Sequence, residues 1–390
     1  MKNNIGKVHN CFGCGVCAIA CGRKIIDIGL NEDGFYEPLI TDENKCTNCG
    51  VCTDVCAYMH DDIALNNKVI SSYGAWSKDR QVRRKCSSGG VGFEVAKTLL
   101  ADNYKVCAVK YVAETGRAEH YIVSDAHELI PSAGSKYIQS YTLDAFKAIN
   151  RKEKYLVTGT PCQIDSFRRY IKKIHCEDNF VLMDFFCHSV PSMYAWKYYV
   201  NLLVPKIGKI TYASWRNKHT GWHDSWAMGI DGDIHGEKVS WHDSYNVLIR
   251  GKKSYLNSRS SQGDLFYKLF FGDYCCNSAC HNKCRFKYDK SSADIRIGDA
   301  WGTLYEDDED GVSAAIAFTS KGKEILNKSN CILQKQPFDL IAEGQMKVNA
   351  LQAPLRKSVL MCLKSNQPLW ILKSIMLISK IIRKINNKFR

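Results

Sequence analysis

Residues 11–21 of the chain read CFGCGVCAIAC, and residues 46–56 read CTNCGVCTDVC. Each stretch has the spacing C-x2-C-x2-C-x3-C, and the second begins 35 positions after the first. Three cysteines at i, i+3 and i+6 can bring their thiolates together from one curled loop, and a fourth must then come from elsewhere. The paired runs therefore predict a small domain whose cysteines hold iron-sulfur clusters.

In two-cluster ferredoxins, the last cysteine of each run binds the cluster of the other run. This rule predicts two 4Fe-4S clusters with exchanged fourth ligands. The first set is Cys11, Cys14, Cys17 and Cys56, and the second set is Cys46, Cys49, Cys52 and Cys21. Structural zinc is the alternative, but zinc sites favour CxxC pairs separated by longer loops over four cysteines within eleven residues.

Composition sets the wider expectations. The chain has 390 residues, more than one hydrophobic core normally organises, so two or three domains are expected. Its 19 cysteines come without an N-terminal export signal, which favours a reducing compartment and metal binding over disulfides. The net charge of +14 makes nucleic acid one conceivable partner, but no recognition motif accompanies the charge, so we expect no nucleic-acid binding.

Four later loops combine small and polar residues with cysteines. CSSGG at 86–90 precedes a predicted helix, and GSKY at 134–137 is a predicted turn. GTPCQ at 159–163 and CHSVPS at 187–192 each follow a buried-type strand. Each loop alone would pass as an ordinary connection. Because ligands gather where strands end and helices begin in α/β sheets, however, the four together predict one cofactor pocket.

These motifs, followed by SWRNKHTGW and ADIRIGDAWG, resemble in their order the coenzyme F420 hydrogenase/dehydrogenase beta-subunit family, from Cys11 to about Gly302. The resemblance implies an α+β ferredoxin-like two-cluster domain, then an α/β flavin-binding body, then a C-terminal helical segment. The expected boundaries are 1–68 for the cluster domain, 69–150 and 151–320 for the two parts of the body, and 321–390 for the helical segment.

The resemblance also implies which residues contact FAD. They are Ser87, Ser88, Gly89, Gly90, Gly134, Ser135, Lys136, Tyr137, Gly159, Thr160, Pro161, Cys162 and Gln163. The stretches 214–222 and 294–302 would line the same pocket. A reductase that adds a hydride must also supply a proton. His188 and Lys218 are the candidates for that catalytic role, ahead of the histidines at 219, 223, 235 and 242.

Residues 275–284 read CCNSACHNKC and raise the question of a third 4Fe-4S cluster. The candidate ligands are Cys275, Cys276, Cys280 and Cys284, with Cys187 or Cys162 as a further ligand. Their spacing is not that of a standard cluster run. Buried thiols and a zinc site therefore stay open as alternatives.

The chain ends in LWILKSIMLISKIIRKINNKFR, a basic stretch of helical period without acids. A basic amphipathic helix can lie on an anionic bilayer, which would place the protein at the inner membrane surface. The favoured interpretation is a terminal helix packed on the body with its lysines in water. No uncharged stretch is long enough to span a bilayer.

Together these features predict a cytoplasmic, FAD-dependent iron-sulfur oxidoreductase. It would pass electrons from a reduced ferredoxin-like donor through two 4Fe-4S clusters and FAD to a small metabolite. The resemblance implies a role in polysaccharide or cell-surface sugar biosynthesis. The alternative is an electron-transfer subunit without a substrate of its own, which docks on a catalytic partner.

Overall fold

A large mixed β-sheet organises the protein in the computed structural model, which describes residues 3–233 and 256–388. The strands are β1 (Ile26–Leu30), β2 (Tyr36–Ile40), β3 (Ser71–Ser77), β4 (Lys105–Val112), β5 (Arg117–Val123), β6 (Ser140–Tyr141), β7 (Tyr155–Thr158), β8 (Phe180–Phe185), β9 (Ile210–Ser214), β10 (Ala227–Gly232), β11 (Leu256–Arg259), β12 (Ile295–Asp299), β13 (Ser313–Ala317) and β14 (Cys331–Lys335).

The α-helices of the described residues are α1 (Val16–Ala20), α2 (Val51–Asp54), α3 (Arg80–Lys85), α4 (Val91–Ala101), α5 (Leu143–Ala148), α6 (Pro161–Lys173), α7 (Met193–Ile207), α8 (Leu265–Phe271), α9 (Ser278–Asn282), α10 (Ser320–Lys328), α11 (Phe338–Ile341), α12 (Arg356–Lys364) and α13 (Leu369–Lys388). Short 3-10 helices connect several of them. None of these helices is long and apolar enough to cross a membrane.

Strands of the large sheet follow the order β14-β3-β13-β12-β8-β7-β4-β5-β6. The central strands β12, β8, β7 and β4 run parallel, and β13, β3 and β14 add antiparallel pairings at one side. Central strands buried on both faces read as near-continuous apolar runs, as FVLMD in β8 does. The edge strand β14 belongs to the segment 321–390, which was expected to be helical.

Helices cover both faces of this sheet, and β8 shows how the sequence divides between them. Successive side chains of a strand point to opposite faces. Val181 and Met183 accordingly pack in the core that contains α4 and α10, whereas Phe180 and Leu182 pack with α5 and α6. The C-terminal ends of β7 and β8 therefore lie between two layers of helices, and the loops that follow these strands lie there too.

The cysteine-rich N-terminal segment forms a hairpin, β1 paired antiparallel with β2, and two short helices that carry cysteines. The buried amide of Gln139 joins this segment to the body. Its Oε1 accepts a hydrogen bond from the Tyr36 N–H at 2.9 Å, and its Nε2 donates to the Phe12 carbonyl at 3.2 Å. The Thr142 hydroxyl donates to the carbonyl of Cys14 at 3.0 Å.

A fully buried ion pair fixes the end of β8 against β12. Arg296 Nε donates to Asp184 Oδ1 at 2.8 Å, and Nη2 donates to Oδ2 at 2.7 Å; both side chains are 0% exposed. Removing one partner of a buried pair leaves the other charge uncompensated, which is more costly than losing a surface contact.

Replacement of this arginine tests the pair's structural role. Arg296→Met should lower the free energy of unfolding by about 3–5 kcal/mol, because Asp184 would keep its buried charge without the guanidinium. Chemical denaturation followed by circular dichroism measures the change. Arg80→Met, at an exposed position of α3, is the matched control and should change stability by less than about 0.5 kcal/mol. Equal stability of the two variants would contradict the assignment.

Candidate redox site

Four thiols from both cysteine runs surround one small cavity. The cavity is lined by Cys11, Cys14, Cys17 and Cys56, together with Phe12 and Tyr58. Burial raises the pKa of Cys56 to about 12, and the neighbouring Cys14 thiol raises it further. Iron must therefore displace protons from these thiols when it binds. We call Cys11, Cys14, Cys17 and Cys56 the inner quartet; it is the set that the exchange rule predicted for one cluster.

The two runs have matching backbone conformations. Gly13 and Asn48, at the same position of each run, both have left-handed φ, as do Gly15 and Gly50. A side chain at Gly13 would also collide with the carbonyl oxygen of Tyr36. Asn48 tolerates the left-handed conformation that this tight curl requires. The first three cysteines of each run therefore lie on the same tight curl of the backbone.

The second set of four thiols lies at the surface. Burial raises the pKa of Cys52, and the nearby Cys21 and Cys49 thiols add to the effect. Cys46 accepts a hydrogen bond from Asn4 Nδ2 at 3.4 Å. Cys49 is exposed, while Cys21 and Cys46 are half-buried. We call Cys21, Cys46, Cys49 and Cys52 the outer quartet. It adjoins the inner quartet, because Cys52 is among the thiols that raise the pKa of Cys17.

A further set of four thiols comes from three separate segments of the body: the start of α6, the loop after β8, and α9 with the residues that follow it. Burial raises the pKa of Cys162 strongly, and Cys280, Cys187 and Cys284 contribute in that order. Burial also raises the pKa of Cys280 to about 12, again with Cys187 and Cys284 adding. Four mutually interacting thiols are the ligand set that a 4Fe-4S cluster requires. We call Cys162, Cys187, Cys280 and Cys284 the cavity quartet.

This arrangement corrects the ligand set expected from CCNSACHNKC. Cys275 is fully buried in an apolar cluster with α7 and α12. Cys276 accepts a hydrogen bond from the Ser189 hydroxyl at 3.0 Å and donates to the Phe270 carbonyl at 3.6 Å. Neither contributes to the interactions of the cavity quartet. Cys162, which the sequence assigned to FAD contact and also named as a possible cluster ligand, lies with Cys187, Cys280 and Cys284 instead.

An apolar contact connects the inner and cavity quartets. Phe12, which follows Cys11, packs with Phe286 in one cluster that also includes Cys162 and Cys284. Asn277, the N-cap of α9, donates from Nδ2 to the Cys11 carbonyl at 2.9 Å. An aromatic contact and a backbone hydrogen bond thus hold the two quartets together.

A cavity of about 470 Å³ lies beyond the cavity quartet. Ligand sites of proteins typically measure about 300–1,000 Å³. All four loops that the sequence singled out contribute to its wall. From the predicted sets, the lining residues are Ser87, Ser88, Gly90, Gly134, Ser135, Lys136, Tyr137, Gly159, Thr160, Gln163, Cys187 and His188. Gly89, Pro161 and Cys162 do not line it.

Backbone donors concentrate at one end of this cavity. Gly90 is the N-cap of α4, and the first N–H groups of a helix have no partner within it. The hydroxyl of Ser87 accepts the N–H of Ser135 at 2.9 Å and so joins two of the lining loops. A helix N-terminus of this kind binds anionic groups such as phosphate.

The other part of the wall is aromatic and was only partly visible in the sequence. Trp226, Phe270, Phe271 and Trp301 line the cavity. The buried guanidinium of Arg216 lies 4.7 Å from the Trp226 ring centroid. Phe270 and Phe271 were missed, although the aromatic run LFYKLFF at 265–271 is the signal that could have found them.

Both lysines of the predicted site bind backbone carbonyls. The Lys218 ammonium donates to the carbonyls of Arg83, Ser88 and Asp310 at 2.8, 2.5 and 2.6 Å, and Lys218 does not line the cavity. Burial lowers its pKa to about 8. This geometry fits a positioning residue that supports the 86–90 loop, so it does not favour the catalytic role. The Lys136 ammonium likewise donates to the carbonyls of residues 131–134.

His188 lies in the cavity wall next to a buried carboxylate. Its Nε2 is 3.3 Å from Asp273 Oδ1, and its Nδ1 is 2.9 Å from the sulfur of Met346. His223 instead lies 3.3 Å from Glu309 Oε1. His235 and His242 lie outside the described residues. Of the two catalytic candidates, His188 alone reaches the cavity.

A single metal ion needs its ligands closer together than a cubane does. Within residues 3–233 and 256–388, no group of three or more His, Cys, Asp or Glu side chains is arranged for one ion. A 4Fe-4S cluster distributes its four thiolates over four iron atoms, so its ligands stand further apart than those of one zinc ion.

Comparisons with known proteins address the class of protein. Residues 10–59 match the 4Fe-4S dicluster domain. Residues 72–147 and 152–339 match the N-terminal and C-terminal parts of the coenzyme F420 hydrogenase/dehydrogenase beta subunit. A chain of the F420-reducing NiFe hydrogenase complex from Methanosarcina barkeri is similar, with 17% identity and a TM-score of 0.45, over 79% of this chain and 91% of that chain. No curated protein matches.

A 4Fe-4S segment joined to a mixed α/β body defines an iron-sulfur protein of the electron-transfer class. The chain belongs to the coenzyme F420 hydrogenase/dehydrogenase beta-subunit family, as its sequence motifs indicated. Redox activity within an oxidoreductase system is therefore expected of it.

The cavity quartet makes a distinct prediction about iron content. Cys162→Ala should lower the iron of anaerobically prepared protein by about four atoms per chain, because a 4Fe-4S cluster would lose one of four ligands. Cys275→Ala, at a buried thiol outside the quartets, is the matched control and should keep its iron. Iron and acid-labile sulfide per chain are the measured quantities. Equal iron loss in both variants would contradict the corrected ligand set.

Proposed function

We propose that the protein is an FAD-dependent iron-sulfur oxidoreductase that takes electrons from a reduced ferredoxin-like donor and delivers them to a small metabolite. One observation carries the proposal: three quartets of thiols follow one another from the exposed Cys49 to a cavity of about 470 Å³ that Cys187 lines. A chain that only docked on a catalytic partner would have no need of a cavity of this size at the inner end of the series.

The inner and outer quartets would each hold one 4Fe-4S cluster, and the cavity quartet a third. Burial of the inner thiols keeps water away from the cluster that they bind. The outer quartet stays accessible to a soluble donor through Cys49. Lys287 would offset negative charge at the cavity quartet, because its buried ammonium donates to the carbonyls of Cys187 and His188 at 2.7 and 2.6 Å.

One part of the cavity lining suits the diphosphate of FAD, and another part suits its ring system. The N-terminus of α4 and the loops at Ser87 and Gly134 offer backbone donors that suit a diphosphate. The aromatic walls at Trp226 and Trp301 suit a flat ring system. FAD, when bound, accepts electrons singly and passes them on as a pair.

His188 is the residue that we assign to proton delivery. It lines the cavity, and Asp273 stands beside its Nε2. A carboxylate next to an imidazole orients the ring. The Nε2 of His188 and the Oδ1 of Asp273 are both buried and lie 3.3 Å apart, so the carboxylate holds the ring in place at the cavity wall.

The nature of the substrate rests on the family resemblance alone. Cell-surface sugar precursors are the class that this resemblance suggests, and a cytoplasmic location follows from the same proposal. The competing function is that of a subunit that transfers electrons to a separate catalytic partner. Such a subunit would still use the three quartets, but it would bind no substrate in the cavity.

Filling the cavity tests whether it holds flavin. Ala133→Trp places a large side chain in the lining, so bound flavin should fall from about one per chain to near zero, while iron stays unchanged. Ala126→Trp, at an exposed position nearby in sequence, is the matched control and should retain its flavin. Flavin released on denaturation is measured by absorbance. A wild-type protein without flavin after reconstitution would contradict FAD dependence and favour the docking subunit.

Loss of the inner quartet tests the electron path. Cys14→Ser should abolish flavin reduction by a reduced ferredoxin, yet leave the flavin reducible by dithionite, because only the route from the surface is interrupted. Cys107→Ser, at a buried thiol of β4, is the control. Stopped-flow absorbance of the flavin follows both reactions. Full ferredoxin-linked reduction in Cys14→Ser would show that electrons enter by another route.

A further inference from the structure

The C-terminal helix α13 is attached to the body by only part of its surface. Leu372 and Ser379 are fully buried, and the Ser379 hydroxyl donates to the Pro354 carbonyl. Arg383 Nη2 donates to the Gly272 carbonyl at 2.9 Å, and the Met376 carbonyl accepts from the Tyr274 hydroxyl at 3.3 Å. These contacts fix the helix in a defined orientation on the protein.

The outward face of α13 is apolar. Trp370, Leu377, Ile378, Ile381 and Ile385 are 70%, 60%, 50%, 49% and 50% exposed. Spacings of 7, 8, 11 and 15 residues from Trp370 place all five on one side of a helix of 3.6 residues per turn. A terminal helix that served only to complete the core would turn this face inward. The helix is thus packed on the body through Leu372 with its lysines exposed, as expected, but a second apolar face is exposed as well.

Positive charge accompanies the exposed apolar face. The last acidic residue of the chain is Glu343, and the 47 residues that follow contain ten lysines and arginines. Within α13, Lys373, Lys380 and Lys384 are exposed. They lie at i+3, i+10 and i+14 from Trp370, which places them on one flank of the apolar face.

We propose that α13 binds the surface of an anionic lipid bilayer, with its apolar face in the headgroup region and its lysines against lipid phosphates. Aliphatic residues and tryptophan at such a face, with lysines beside them, are the composition of helices that lie in the membrane plane. The 20 residues of α13 extend over about 30 Å, enough for five apolar side chains to insert together. This inference does not depend on the proposed substrate or cofactor.

A bilayer fits this face better than a second copy of the chain. Two copies meeting through α13 would bring lysine flanks together, and the last 47 residues offer no carboxylate to pair with them. Like charges held close at an interface oppose association. An anionic bilayer supplies an apolar layer for the exposed face and negative charge for the lysines beside it.

The attachment of α13 also brings this surface to the cavity wall. Gly272 and Tyr274, which bind the helix, directly follow the cavity-lining residues Phe270 and Phe271 in α8. Membrane binding through α13 would therefore leave about the thickness of one helix between this part of the protein and the lipid surface.

Sedimentation with vesicles tests the inference on the whole, cluster-loaded protein. We expect the protein to sediment with vesicles of phosphatidylcholine mixed with phosphatidylglycerol and to stay in solution with phosphatidylcholine alone. The double substitution Ile378→Glu/Ile381→Glu should weaken binding by about tenfold or more. Lys373→Gln, Lys380→Gln and Lys384→Gln should each weaken it by about fivefold and reduce its salt dependence.

Ile332→Glu, at an exposed position of the edge strand β14, is the matched control and should bind as the wild type does. Unchanged iron content and circular dichroism would show that each variant is folded. Absence of wild-type binding to anionic vesicles, or equal binding by the Ile378→Glu/Ile381→Glu variant, would overturn the inference. A concentration-dependent dimer in light scattering that these two substitutions abolish, without vesicle binding, would assign the face to a second copy instead.

Discussion

The Cys56 thiol lies with Cys11, Cys14 and Cys17 rather than with the run to which it belongs, and the rest of the redox site depends on this crossing. One curled loop can direct three thiols to a point but cannot supply the fourth. The crossing forces both runs to fold against each other. The N-terminal segment then becomes a rigid unit that Gln139, Thr142 and the Ser166 hydroxyl hold against the body.

Rigid attachment matters because electron transfer requires fixed separations between redox centres. The aromatic contact of Phe12 with Phe286 lies between the inner and cavity quartets and belongs to an apolar cluster. The outer quartet, in contrast, has an exposed member in Cys49. The protein thereby separates the two requirements of a redox chain: an accessible entry for a donor and a shielded interior for the later steps.

The sequence predicted those parts of the site that depend on local spacing. The cysteine runs, the β1–β2 hairpin and the loops around the cavity all follow from periodicity and turn chemistry within short stretches. All four thiols of the cavity quartet were among the candidates, but the sequence could not select them, because Cys162 and Cys187 are 25 residues apart in the chain and meet only through the pairing of β7 with β8. Cys275 and Cys276 looked like ligands by proximity in sequence, yet the turn before α9 directs them into other contacts.

The roles of two lysines could not be predicted from the sequence either. Lys136 and Lys218 suited an anionic or catalytic role by residue type, but only the coordinates show that backbone carbonyls take up their donors. The orientation of α13 was equally beyond the sequence. An amphipathic period defines an apolar face, but whether that face meets the core or solvent depends on contacts with Pro354 and Gly272 that lie far away in the chain.

The location of iron in crystals grown without oxygen tests the central claim most directly. Anomalous diffraction at the iron edge would place the metal without reference to any assumed ligand. The account predicts three iron sites, at the outer, inner and cavity quartets, each bound by the four thiols named for it. Iron confined to residues 10–59, with the thiols of Cys162, Cys187, Cys280 and Cys284 unligated, would contradict the continuous path from the surface to the cavity.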